Sequence, residues 1–190
     1  MQSRYFGEGL SPRNPSEFVV LTWRENSIFV LNRQSLAMTD RYEFPEGLKE
    51  GWGVTAVEEA GDSDYLLYMS DGSSKIYIVD GDTMTTRSSI TVRDSRGQEV
   101  DRINELEYAN GFIYANVWYK DILIKINPNS GLIEKEWDIG TLAKAEHTYQ
   151  RRTHGRNMAD CLNGIAYNKS TGTFYLSGKK HFLIFEVKLE

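Results

Sequence analysis

The chain has 190 residues, 40% of them apolar and 26% charged, with only 4 prolines, which is the composition of an ordinary globular protein and excludes a disordered one. Its 22 basic and 27 acidic side chains give a net charge of −5, which argues against nucleic acid or an anionic membrane surface as a partner. Cys161 is the single cysteine, so neither an internal disulfide nor a multi-cysteine zinc site is available. No stretch reaches the length of a transmembrane helix. The first residues also lack the basic segment and apolar run of a signal peptide, so the chain is expected in the cytosol or with a leader already removed.

In chain order, the first notable feature is Phe6-Gly7-Glu8-Gly9-Leu10, a carboxylate between two glycines close to the N-terminus. Short apolar and β-branched runs follow: Phe18 to Trp23, Ser27 to Leu31, Tyr65 to Met69, Ile76 to Val79, Phe112 to Trp118, Ile122 to Ile126, Phe174 to Leu176 and Phe182 to Val187. Gly, Asn, Asp and Ser punctuate them, so they read as strands in meanders. One charged stretch, Thr141 to Arg156, is the sole helix candidate.

Four of these segments share one design, an apolar strand, a polar turn and a second apolar strand. Val30, Val79, Ile126 and Val187 hold equivalent places in them, 49, 47 and 61 residues apart. An all-strand period of that size marks the four-stranded blades of a β-propeller. The chain is therefore expected to be all-β, a single propeller domain over residues 1–190 with about four blade repeats. The opening segment reads as the middle of a blade with no strand recognisable ahead of it, so roughly one blade is expected to be absent.

Trp23, Trp52 and Trp118 fall at strand ends or in a Gly-flanked turn of successive repeats, whereas Trp137 fits simple core packing. Equivalent positions in propeller blades converge on one end of the central axis, where three indoles would wall an apolar pocket. Asn104, in "RINELEY", and Lys179, after Ser177-Gly178, stand at comparable strand ends. A carboxylate, a carboxamide, an ammonium and three indoles thus share repeat-equivalent ends. His147, His154 and His181 follow no ligand spacing, and His147 and His154 are placed in a charged, solvated loop, so no metal is read from the sequence.

The segments "YFGEGL", "LTWRE", "EGWGVT", "INELEYANGFIYANVW", "DCLNGIAY" and "LSGKKHFLIFEVKL" resemble the plant-type and bacterial-type glutaminyl cyclases, the metal-independent glutaminyl-peptide cyclotransferases, from Tyr5 to the C-terminus. The resemblance implies a five-bladed β-propeller, no cofactor, peptides or proteins with an N-terminal Gln as partners, and a monomer in the secretory pathway or periplasm. It maps the proton shuttle onto Glu8, the aromatic lining onto Phe6, Trp23, Trp52 and Trp118, and the polar pair onto Asn104 and Lys179. Asn163 and Gly164 of the "LNGIA" turn are expected to shape backbone. Three features depart from the family. No first blade with an "FTQG" motif is present, His181 replaces a hydrophobic residue, and Cys161 replaces an aliphatic one.

The implied reaction is an intramolecular aminolysis in which the α-amine of the N-terminal Gln attacks its own side-chain amide carbon and ammonia leaves. One carboxylate in an apolar surround serves both proton transfers when it sits between the amine and the leaving nitrogen, the role implied for Glu8. Asn104 and Lys179 are both candidates for the developing oxyanion, and the residues alone do not choose between them. A non-catalytic peptide-binding propeller, or an inactive truncated paralogue, is the alternative reading.

Overall fold

Each apolar hairpin anticipated above is the middle of a larger antiparallel meander. The computed structural model describes residues 4–57 and 65–190. The first sheet is β1 (Gly7–Asn14), β2 (Glu17–Thr22), β3 (Ile28–Asn32) and β4 (Met38–Tyr42), and the second is β5 (Val54–Val57), β6 (Leu66–Ser70), β7 (Lys75–Asp80) and β8 (Thr86–Thr91). The third is β9 (Ile103–Ala109), β10 (Phe112–Val117), β11 (Ile122–Ile126) and β12 (Ile133–Asp138). Helix α1 (Gly140–His154) then leads to the fourth, β13 (Leu162–Asn168), β14 (Thr173–Gly178) and β15 (Phe185–Val187). Strands pair in sequence order within every sheet, giving a propeller-like arrangement of four blades.

The apolar middle strands form the core because their side chains fill the spaces between neighbouring sheets. Leu21, Ile28, Val30, Leu67 and Met69 pack between the first two sheets. Ile76, Ile103, Ile113 and Ile124 fill the space between the second and third, and Leu123, Leu162, Phe174 and Leu176 that between the third and fourth. The outer strands β4, β8 and β12 are mostly exposed and polar, so they carry no apolar period to reveal them. Helix α1 matches the charged stretch flagged in the sequence. It ends on Gly155, whose left-handed φ of 69° lets its N–H return to the Arg151 carbonyl at 3.1 Å, with Arg151, Arg152 and His154 at its negative end. His147 and His154 therefore lie on a helix and not in a loop, and the His154 ring stacks on Phe182 at 4.5 Å.

The innermost strands β1, β5, β9 and β13 pack side by side in that order through a repeated device. The Ala56 N–H donates to Ser11 Oγ at 3.0 Å, the Tyr108 N–H to Thr55 Oγ1 at 2.9 Å and the Tyr167 N–H to Glu107 Oε1 at 2.8 Å. Each inner strand thereby satisfies a backbone donor of the next. The approach is close enough to require glycine: a Cβ on Gly9 would stand 2.7 Å from the Trp52 carbonyl oxygen, and one on Gly53 would collide with that of Asn104.

Strand β1 overturns the expectation that nothing precedes the first hairpin. It pairs with β2 through Leu10↔Val20, Ser11↔Val19 and Pro12↔Phe18, so the opening segment heads a complete four-stranded blade. Two glycines, a proline and a single large apolar side chain hid it, because an inner edge strand lining an axis needs no apolar alternation. The shorter sheet is the fourth, with three strands among the described residues.

Candidate functional site

Antiparallel pairing brings two kinds of strand end to one mouth of the arrangement. Inner strands begin there, which supplies Glu8 on β1, Trp52 just before β5 and Asn104 on β9. Second strands finish there, which supplies Trp23 after β2, Trp118 after β10 and Lys179 after β14. Phe6, Glu8, Trp23, Trp52, Asn104, Trp118 and Lys179 together line one cavity of ≈ 150 Å³. All seven residues singled out in the sequence are thus brought together.

The polar residues are arranged unequally. Lys179 Nζ donates to both oxygens of Glu8, at 3.0 and 3.3 Å, and lies 5.9 Å from the centre of the Phe6 ring. The Glu8 side chain is only 12% exposed, whereas that of Lys179 is 33% exposed, so the carboxylate end of the pair is the shielded one. Asn104 is 3% exposed, and its backbone carbonyl accepts from Ser70 Oγ at 2.7 Å. Its side-chain amide has no hydrogen-bond partner among the described residues and borders the cavity. A carboxamide in that position is ready to bind a ligand carbonyl.

The aromatic wall has two halves. Trp52 and Trp118 meet edge to face with ring centres 5.1 Å apart, and Phe6 meets Trp23 in the same way at 6.1 Å. Glu50, which the sequence reading missed, joins the halves. One oxygen, Oε2, accepts from Trp23 Nε1 at 2.8 Å and from Trp52 Nε1 at 2.9 Å, while Oε1 accepts from Arg24 Nε at 2.8 Å. Burial opposes its charge, but the bonds from Trp52, Arg24 and Trp23 outweigh that and hold its carboxyl below the ordinary glutamate value. The Arg24 guanidinium also lies over the Trp23 ring at 3.8 Å, so one face of that indole is engaged as well as its N–H. The signal available in sequence was the stretch Glu50-Gly51-Trp52, but nothing local links it to Trp23.

Glu105 follows Asn104 on β9. Burial pushes its carboxyl up to about 8, and the nearby negative charges of Glu8 and Glu107 add to the effect while Lys179 opposes it. Its hydrogen bond is a 3.3 Å contact from the Leu106 N–H. Cys161 sits half-buried beside the Lys179 turn, where burial, with Asp160 adding, pushes its thiol up, so it behaves as packing and not as a nucleophile. Among the described residues no group of three His, Cys, Asp or Glu side chains is placed to hold a metal ion.

Comparison with known proteins gives a consistent result. The family model for glutamine cyclotransferase matches residues 1–189. A glutaminyl-peptide cyclotransferase of Arabidopsis thaliana is 31% identical over 190 residues, all of this chain, and the chain spans 55% of that relative's length. The crystal structure of a Myxococcus xanthus glutaminyl cyclase superposes with a TM-score of 0.85 at 29% identity, covering 100% of this chain and 75% of that one. The computationally designed protein Ika4 superposes with a TM-score of 0.50 at 8% identity, over 100% of this chain and 95% of its own, and shares the fold alone.

Proposed function

The chain belongs to the glutamine cyclotransferase family, and from that premise we propose that it works as a glutaminyl-peptide cyclotransferase, an acyl transfer that closes an N-terminal Gln to pyroglutamate and releases ammonia. The observation that carries this reading is the single cavity holding Glu8 against Lys179 and an unpaired Asn104 carboxamide inside an aromatic wall.

The α-amine of the substrate attacks its own γ-amide carbon, forming a C–N bond and placing negative charge on the carbonyl oxygen. Glu8 takes the proton that the attacking nitrogen sheds and returns it to the departing nitrogen, after which the second C–N bond breaks and ammonia leaves. Asn104 donates to the oxyanion, since its amide is uncommitted, while Lys179 already serves Glu8 and fixes the direction of its carboxylate. Trp23, Trp52, Trp118 and Phe6 hold the folded-back glutamine in reacting shape and keep water out. Peptides or proteins with an N-terminal Gln are the partners this chemistry requires.

We also read the four sheets as an arc of a five-bladed ring. Two features support this. Among the described residues β13 shows no side-by-side packing on β1 like that which joins the other inner strands, and the first sheet's face turned from the second leaves an apolar groove of Phe29, Leu31, Leu36 and Met38.

Incubation with a Gln-initiated peptide tests the function. Loss of ammonia from the peptide, followed by mass spectrometry, is expected. A folded protein that binds the peptide and leaves it unchanged at high concentration would identify a recognition module and overturn the catalytic reading.

A further inference from the structure

Helix α1 stands outside the repeat, yet it carries two fully buried polar side chains near the site. Glu146 and Gln150 are each 0% exposed, one helical turn apart, and both face the segment that follows β14. Glu146 Oε1 accepts from the Phe182 N–H at 2.9 Å and Oε2 from the Leu183 N–H at 2.9 Å. Gln150 Nε2 donates to Glu146 Oε1 at 2.6 Å and to the Lys180 carbonyl at 2.8 Å, while its Oε1 accepts from the Met158 N–H at 2.7 Å. Both Glu146 oxygens and the Gln150 amide nitrogen are therefore committed to this one turn or to each other, and the Gln150 oxygen ties in the Met158 backbone.

What the turn carries is Lys179. Its backbone is gripped on the other side by the 160–161 segment, with the Lys179 N–H donating to the Cys161 carbonyl at 3.0 Å and the Asp160 N–H donating to the Lys179 carbonyl at 2.9 Å. Lys180 has a left-handed φ of 59°, a conformation that costs a non-glycine residue energy and persists where the surroundings impose it. His181 is inserted beneath, its side chain 0% exposed, with Nε2 3.1 Å from the Asp160 carbonyl oxygen and Nδ1 4.0 Å from Glu146 Oε2.

We propose that Glu146, supported by Gln150, is a positioning residue for the reaction: a buried carboxylate clamp on α1 that holds the strained 179–183 turn and so keeps the Lys179 ammonium on Glu8. The need for a clamp follows from the packing, because Glu8 and Lys179 belong to the two sheets whose inner strands are not packed side by side. Elsewhere in the site neighbouring inner strands brace one another; here the 160–161 segment holds one side of the Lys179 turn and helix α1 the other. A charged acceptor is suited to the task, since hydrogen bonds to a carboxylate are roughly twice as strong as neutral ones. The proposal rests on the cyclotransferase reading only in naming the reaction that Lys179 assists.

The test is a double-mutant cycle on a Gln-initiated peptide with Glu146→Gln, Lys179→Ala and the two combined. Glu146→Gln is expected to lower kcat by on the order of tenfold with KM changed less than about twofold. Added to Lys179→Ala, it is expected to change kcat by less than about twofold, because its partner in the effect is already gone. An unaltered kcat in Glu146→Gln, or the same loss in both backgrounds, would overturn the clamp. Labelling of Lys179 by an amine-acylating reagent, read by mass spectrometry, keeps the proposal testable in a protein that turns over no peptide. Faster labelling of Lys179 alone in Glu146→Gln supports the clamp, and equal rates overturn it whatever the activity. Should Glu146→Gln not fold, Gln150→Leu carries both measurements with the same expected directions.

Discussion

The two sides of the cavity are built on opposite plans. The indole side runs across the first, second and third sheets, whose neighbouring inner strands are packed and hydrogen-bonded to each other, and a single glutamate, Glu50, pins two of its rings from outside. The ionic side joins the first and fourth sheets, whose inner strands show no comparable packing among the described residues, and an ion pair spans the interval between Glu8 and Lys179. The difference separates two tasks. A wall proposed only to shape and dehydrate a substrate can inherit its rigidity from neighbouring strands, whereas a carboxylate proposed to move protons needs its own partner and that partner its own support.

Substitutions on the two sides are expected to differ in kind. The largest effect belongs to the ionic side. Glu8→Gln is expected to lower kcat by on the order of 10² to 10⁴, with a thermal midpoint within a few degrees of the parent, as steady-state kinetics and a melting curve would show. Turnover near the parent's would remove Glu8 from the proton-transfer role. Next, Asn104→Ala is expected to lower kcat by on the order of 10² to 10³ through loss of one oxyanion donor. A rise in KM alone would reassign that carboxamide to ground-state binding.

On the indole side the expectation reverses. Glu50→Ala strands two indole N–H groups and frees Arg24, so KM is expected to rise by about threefold to tenfold while kcat falls less, each lost hydrogen bond to a charged group being worth about 1.5 to 3 kcal/mol before relaxation. A loss confined to kcat would mean that the indoles align reacting atoms and do not merely enclose them.

The smallest effect is one of pH. Glu105 has its carboxyl raised from 4.5 to about 8 in the folded chain. Between those values it is charged when unfolded and protonated when folded, so folding takes up a proton and the stability it contributes falls as pH rises through that window. Glu105→Gln, neutral throughout, is expected to gain a few degrees of thermal midpoint over the parent as pH rises from about 5 to about 8. A constant difference across that range would mean that the carboxyl keeps an ordinary pKa.

The hairpins β2–β3, β6–β7, β10–β11 and β14–β15 were legible in the sequence because their apolar runs lie in the core between blades. Inner strands such as Gly7–Asn14 were not, since one edge lines the axis and their pattern is set by neighbours distant in sequence. The same division runs through the site. Glu8, Asn104, Lys179 and the aromatic residues could be named because they sit inside short motifs at repeated strand ends. Glu50, Glu146 and Gln150 could not, because their partners lie 27, 36 and 30 residues away respectively, at Trp23, Phe182 and Lys180.

The linear chain by itself therefore determined the blade period, the all-β class and the chemical groups that meet at one mouth, since turn residues and apolar alternation are local properties. Only the tertiary structure decided which groups are partnered and which are left free: Lys179 on Glu8, two indoles on Glu50, a clamp behind Lys179 and an uncommitted amide on Asn104. Those outcomes depend on the closing geometry between sheets, and hydrogen bonds to a shared acceptor are settled by distances that no spacing along the chain encodes.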